Sequence, residues 1–148
     1  MFTCKSHLAS AVLFDSSDNI LQAWSGWTLA IDLLLGESEA ALLALAKASE
    51  ANISSLLLTG DSAVVIACLN SGTSGVSPVP WRIASLISDA MNFIQGLSWF
   101  SACKISRDDN YVAHSVAAWA AALSHVGEVP ASFLLNRGFW KYNGAKPP

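Results

Sequence analysis

Residues 39–52 read Glu-Ala-Ala-Leu-Leu-Ala-Leu-Ala-Lys-Ala-Ser-Glu-Ala-Asn, a segment dominated by the two side chains that favour helix most. Between Ala40 and Ala46 such a helix is apolar on nearly every face, so it cannot lie half in water. It must be buried, and the short apolar runs on either side of it supply a sheet to bury it against. Ser38 is the expected N-cap, with Glu37 and Glu39 placed near the positive helix end.

The remaining elements follow from period and punctuation. Residues 8–14 form an apolar run that closes on Asp15-Ser16-Ser17-Asp18-Asn19, and residues 20–27 resume it, which predicts a hairpin. A strand is expected over 54–58. Gly60-Asp61-Ser62 turns it into a helix over 63–69. Residues 71–80, rich in Ser, Gly and Pro, read as a loop, with Pro80 opening a helix that carries Ile83, Ile87, Ala90, Met91 and Ile94 on one face and ends at Gly96. Residues 99–105 alternate as a strand. Asn110 is expected to cap a last helix with Val112, Val116, Ala120 and Leu123 in its stripe and Gly127 as terminator. The expected order is β-β-α-β-α-α-β-α, an α/β mixed sheet with helices on both faces. One domain is expected over 1–126, followed by a tail over 127–148 that shows no period.

At 148 residues the chain suits one core, and 53% hydrophobic against 13% charged residues argues for a compact interior. The net charge of -3 supplies no global field for nucleic acid. Cys4, Cys68 and Cys103 lack the spacing of a zinc site or a disulfide framework and read as small buried hydrophobes in a reducing, intracellular setting, nuclear or cytoplasmic. No apolar run reaches membrane-spanning length, and the first residues show no signal-peptide pattern.

Three polar segments interrupt this apolar background where elements change: residues 36–42, 56–62 and 107–114. Glu39, Asp61 and His114 can therefore converge only at the rim of the core, where carboxylates suit a divalent cation. Singly, each has a plain alternative. Asp61 could cap a helix, Glu39 could complement a helix dipole, and His114 could be a partnered histidine. His7 and His125 read as surface residues. Ser74 misses the nucleophile-elbow pattern because Val76 stands where glycine is needed, and no phosphate-cradling glycine loop occurs. Trp81-Arg82 reads as an amphipathic helix end, and the six tryptophans lack basic neighbours for base stacking.

The segments Ala11-Val12-Leu13-Phe14-Asp15 with Asn19-Ile20-Leu21, Ser38-Glu39-Ala40 with Ala44-Leu45, Leu58-Thr59-Gly60-Asp61-Ser62 with Val64-Val65, and Ile105-Ser106-Arg107 with Asn110 and Ala113-His114 resemble, in that order, a type 1 ribonuclease H domain. The resemblance is to the reverse-transcriptase-like version abundant in plants and covers residues 2–123. It implies a five-stranded mixed sheet with the first strand between the second and fourth, and an endonuclease that hydrolyses the RNA strand of an RNA–DNA hybrid with two magnesium ions (Mg2+). By this resemblance Glu39 and Asp61 are metal ligands, and Glu39, Asp61 and His114 are the catalytic residues. His114 stands where many relatives carry an aspartate, although a His-bearing variant also resembles this plant group.

One departure matters. The family's first strand ends in a metal-bridging aspartate, and Phe2-Thr3-Cys4-Lys5 resembles the segment just after it, so the aspartate is expected upstream of Met1, with the first, central strand largely missing. Asp15 is no substitute, because it closes the second strand. The expectation is an N-terminally truncated or degenerate ribonuclease H-type domain, marginally stable and weakly active or inactive. The alternatives are a non-catalytic nucleic-acid-binding module or an inactive fragment.

Overall fold

The computed structural model describes residues 1–5, 7–29, 31–71 and 79–134. Strand β1 (Phe2–Lys5) pairs antiparallel with β2 (Leu8–Phe14), which pairs antiparallel with β3 (Ile20–Trp27). Helix α1 (Leu33–Glu50) leads to β4 (Ser55–Gly60), then to α2 (Ala63–Ser71). After a 3-10 turn at Trp81–Ile83 come α3 (Ala84–Gln95), β5 (Trp99–Lys104) and α4 (Tyr111–Leu123). A two-residue strand β6 (Gly127–Glu128) and a short α5 (Ala131–Leu134) complete the described chain.

The strands form two sheets, ordered β1-β2-β3-β6 and β4-β5, the second parallel. The mixed α/β architecture is as expected, with α1, α2 and α3 on one face and α4 on the other. The pleat of β2 explains this division. Its Ala9 joins the core that holds Ala40, Ala41 and Leu45 of α1, while Leu8 and Val12 join the core that holds Val112, Val116 and Trp119 of α4. Ser10, buried among them, donates to the Ala113 carbonyl at 2.7 Å and fixes α4 on the sheet.

A first strand is present but short. It pairs with β2 from Phe2↔Ala11 to Lys5↔Leu8, and among the described residues no ladder joins it to β4, so the expected single five-stranded sheet is divided there. A cavity of about 1070 Å3 lies between the far end of β2 and the free edge of β4, lined by Val12, Leu13, Phe14, Leu56 and Leu57. Contact between β1 and β4 is made instead by packing. Phe2 is fully buried, and a Cβ built on Gly60 would stand 2.5 Å from its ring.

Four local expectations are corrected. Helix α1 begins six residues before Glu39, with Asp32 rather than Ser38 as its N-cap, accepting from the Leu35 N–H at 3.0 Å; Gly36 is tolerated inside the helix because the turn there is buried. Ser38 instead donates back to the Leu34 carbonyl at 2.8 Å. Helix α4 ends on Ser124 in the left-handed region, and Gly127, at φ 109°, enters β6 against β3. Of the cysteines only Cys68 is buried; Cys4 is half-buried and Cys103 exposed. Ser74, Val76 and most of the loop expected over 71–80 lie outside the described residues, as does the tail beyond Leu134.

Gly60→Ala is expected to destabilise the protein by about 1–3 kcal/mol, because a close-packed aromatic ring has no free volume to retreat into. Urea unfolding measures it, and Phe2→Leu in the same chain should recover part of the loss. A neutral Gly60→Ala would mean that Phe2 does not hold β4.

Candidate functional site

Asp61 leaves the C-terminal end of β4 in the turn to α2, and His114 lies in the first turn of α4. The two meet, with His114 Nε2 2.8 Å from Asp61 Oδ2 and side-chain exposures of 18% and 15%. The other imidazole nitrogen, Nδ1, is 3.5 Å from Thr3 Oγ1. Thr3 is fully buried in β1 and donates its hydroxyl to Glu37 Oε1 at 3.0 Å, and the Cys4 N–H donates to the same oxygen at 3.2 Å. A chain of four side chains, Asp61–His114–Thr3–Glu37, thus links β4, α4, β1 and α1 at one rim.

Glu37 is the carboxylate α1 brings to this place. It lines a cavity of about 700 Å3 together with Asp61, His114 and Cys4, whereas Glu39 does not line it. Helical geometry separates them: Glu37 shares the buried stripe of Ala40, Ala41, Leu45 and Ala48, and a residue two positions on points about 200° around the axis. One oxygen of Glu39 is nevertheless buried without a hydrogen-bond partner among the described residues. Asn110 sits at the N-cap position of α4 but does not cap it. Fully buried, it donates from Nδ2 to the Phe2 carbonyl at 3.0 Å, locking the start of α4 to β1 and so placing His114 beside Thr3.

Burial pushes the Glu37 carboxyl up to about 7, with the nearby Asp61 adding to the shift; hydrogen bonds from Cys4 and Thr3 and the charge of Arg107 oppose it. The Cys4 thiol is pushed up to about 11, by burial first and then by Glu37 and Glu39, so it is a neutral thiol at physiological pH. Asp15, by contrast, lies half-buried at the far end of the β2–β3 hairpin, and its carboxyl is held low by hydrogen bonds from the turn it closes. His7 is exposed, takes φ 64° and lines the cavity; His125 packs on Trp119 at 4.9 Å between ring centroids.

These donors do not suit a pair of magnesium ions, which need several hard oxygen ligands. Asp61 is engaged by His114, one oxygen of Glu37 accepts from Thr3 and the Cys4 N–H, and the side chain that β1 adds to the cavity wall is a thiol. Among the described residues no three His, Cys, Asp or Glu side chains stand together as a metal site. Sequence reasoning missed Glu37, Thr3 and Cys4. Extending the apolar period of α1 backwards from Ala48 and Leu45 through Ala41 reaches Glu37, which is the signal that could have found it.

A carboxyl held above its unfolded value favours the fold while protonated. Stability from Glu37 is therefore fullest below about pH 4.5 and declines as pH rises towards about 7. Glu37→Gln, which stays neutral, is expected to be more stable than the parent above pH ~7 by on the order of 2–3 kcal/mol and to converge with it near pH ~4. Urea unfolding across this range reads the difference; parallel pH profiles for the two proteins would contradict it.

The chain matches the reverse transcriptase-like family over residues 2–120. Its fold is similar to that of ribonuclease H1 from the halophilic archaeon Halobacterium salinarum, at TM-score 0.71 and 18% identity over 84% of this chain and 94% of that one. The N-terminal ribonuclease H domain of Rv2228c from Mycobacterium tuberculosis, solved as a maltose-binding-protein fusion, is similar at TM-score 0.67 and 17% identity, over 83% and 92% of the two chains. No curated protein matches the chain significantly. Among the described residues no helix is long and apolar enough to cross a membrane. With the family matched across most of its length and the fold shared with two ribonuclease H domains, the chain belongs to the reverse transcriptase-like family and has a ribonuclease H-like fold.

Proposed function

We propose that this is a ribonuclease H-type domain that binds nucleic acid, an RNA–DNA hybrid in particular, and hydrolyses it weakly or not at all. The single observation that carries the reading is the composition of the site: Glu37, Asp61 and His114 are gathered at one rim, but β1 contributes to the cavity a thiol that stays protonated. The family's divalent-metal hydrolysis needs negative charge at this point to hold cations and offset the charge of the scissile phosphate. Cys4 supplies none. Thr3, its neighbour, is neutral as well, and its hydroxyl is committed to Glu37.

Asp61 and Glu37 then remain as the two carboxylates of the site, and His114 orients Asp61 rather than adding a third. Such a site retains the shape of a ribonuclease H cleft without its full charge. Binding survives this loss better than catalysis, since backbone contacts do not depend on a metal pair.

A hybrid-cleavage assay with magnesium tests the reading. The parent chain is expected to cleave in trace amounts at most. Cys4→Asp, at a half-buried position facing the cavity, is expected to raise cleavage by about 10-fold or more, and adding Asp61→Asn to abolish the gain. Robust cleavage by the parent that disappears in Asp61→Asn would show that a neutral β1 residue is no obstacle and would overturn the reading. Cleavage that survives Asp61→Asn would place the activity elsewhere.

A further inference from the structure

The protein carries a net charge of -3, yet among the described residues the uncompensated cations are not spread over the surface. Of the eight Lys and Arg residues, Arg137, Lys141 and Lys146 lie outside the described residues. Lys47 pairs with Glu50 at 3.0 Å, and Arg82 pairs with Asp32. The remaining Lys5, Lys104 and Arg107 have no ion-pair partner among the described residues, and all three line the same cavity of about 700 Å3. They come from separate places in the sequence: the last residue of β1, the last residue of β5 (opposite Gly60 at the end of β4), and the loop before α4.

The cavity's carboxylates form no ion pair with them, although Glu37 feels the charge of Arg107. Asp32 is engaged by Arg82 and Asp61 by His114, while Glu37 lies buried under Thr3 and the Cys4 N–H. All three cations are exposed, which suits counterion exchange with a flexible polyanion better than the convergent cage a single small anion requires. Positive charge gathered around one cleft of an acidic protein attracts anions there.

We propose that Lys5, Lys104 and Arg107 form a phosphodiester-binding rim that seats a nucleic-acid backbone across the cavity holding Asp61 and His114. This deepens the nucleic-acid reading and rests on it. The three residues act by position and charge, so they set affinity and register without reading bases.

The test is fluorescence anisotropy of a short labelled RNA–DNA hybrid in buffer with chelator, over about 50–200 mM salt. The full chain is compared with the Lys5→Gln/Lys104→Gln/Arg107→Gln variant and with Lys47→Gln, and circular dichroism melting confirms that each is folded. The triple variant is expected to bind on the order of 10-fold or more weakly, with the slope of log affinity against log salt shallower by about 2–3; Lys47→Gln should change neither. A triple variant that binds with an unchanged slope overturns the rim and leaves the nucleic-acid reading standing. A parent chain that shows no salt-dependent binding overturns both.

Discussion

Four side chains in hydrogen-bonded sequence, Asp61, His114, Thr3 and Glu37, hold together the parts of this protein that the sheet leaves unjoined. The ladder between β1 and β4 is absent among the described residues, so the two sheets meet through side chains at the rim and through the ring of Phe2 against Gly60. The links differ in strength, from the 2.8 Å contact of His114 with the Asp61 carboxylate to the 3.5 Å approach of His114 to Thr3, and a typical hydrogen bond is worth about 1 kcal/mol net. In a half-buried setting they reinforce one another, and the loss of a middle member leaves two partners unsatisfied. The geometry of the site and the cohesion of the fold are the same interaction seen from two sides.

This coupling fixes the form of the site through hydrogen bonds among protein groups. Where cations are bound, carboxylates that repel one another are held close by the metal. Here hydrogen bonding performs the assembling: Thr3 donates to Glu37, Cys4 adds its N–H, and the imidazole bridges towards Asp61. A partly protonated Glu37 and a histidine in the remaining place reduce the repulsion further. Hydrogen bonds from protein groups thus hold one oxygen of Glu37 and one of Asp61, while Glu37 Oε2 is buried without a hydrogen-bond partner among the described residues.

Much of this was legible in the residues. The strands at residues 8–14, 20–27 and 99–104, the helices, and the placing of Asp61 and His114 follow from alternation, helical period and turn chemistry, all local signals. Non-local facts were not legible. Glu37 and Glu39 flank one serine, and only the direction of the buried stripe of α1 tells them apart. Asn110 reads as a cap because Asn is a good cap, but the nearby Phe2 carbonyl competes for its side chain and wins. The start of α1 was hidden by Gly36, a poor helix former that burial tolerates. Residues 2–5 are too few to announce a strand, and they become one only because β2 supplies a ladder.

The border of β4, unpaired among the described residues, has its own bearing on how the molecule behaves in solution. Leu56, Leu57 and Leu58 follow one another there, Leu57 is 53% exposed, and no Pro, Lys or Glu stands in Ser55–Gly60 to discourage another chain from adding to it. An apolar strand with open hydrogen-bonding groups on one side is a template for self-association. Self-association in a concentrated sample is therefore expected to begin at these leucines.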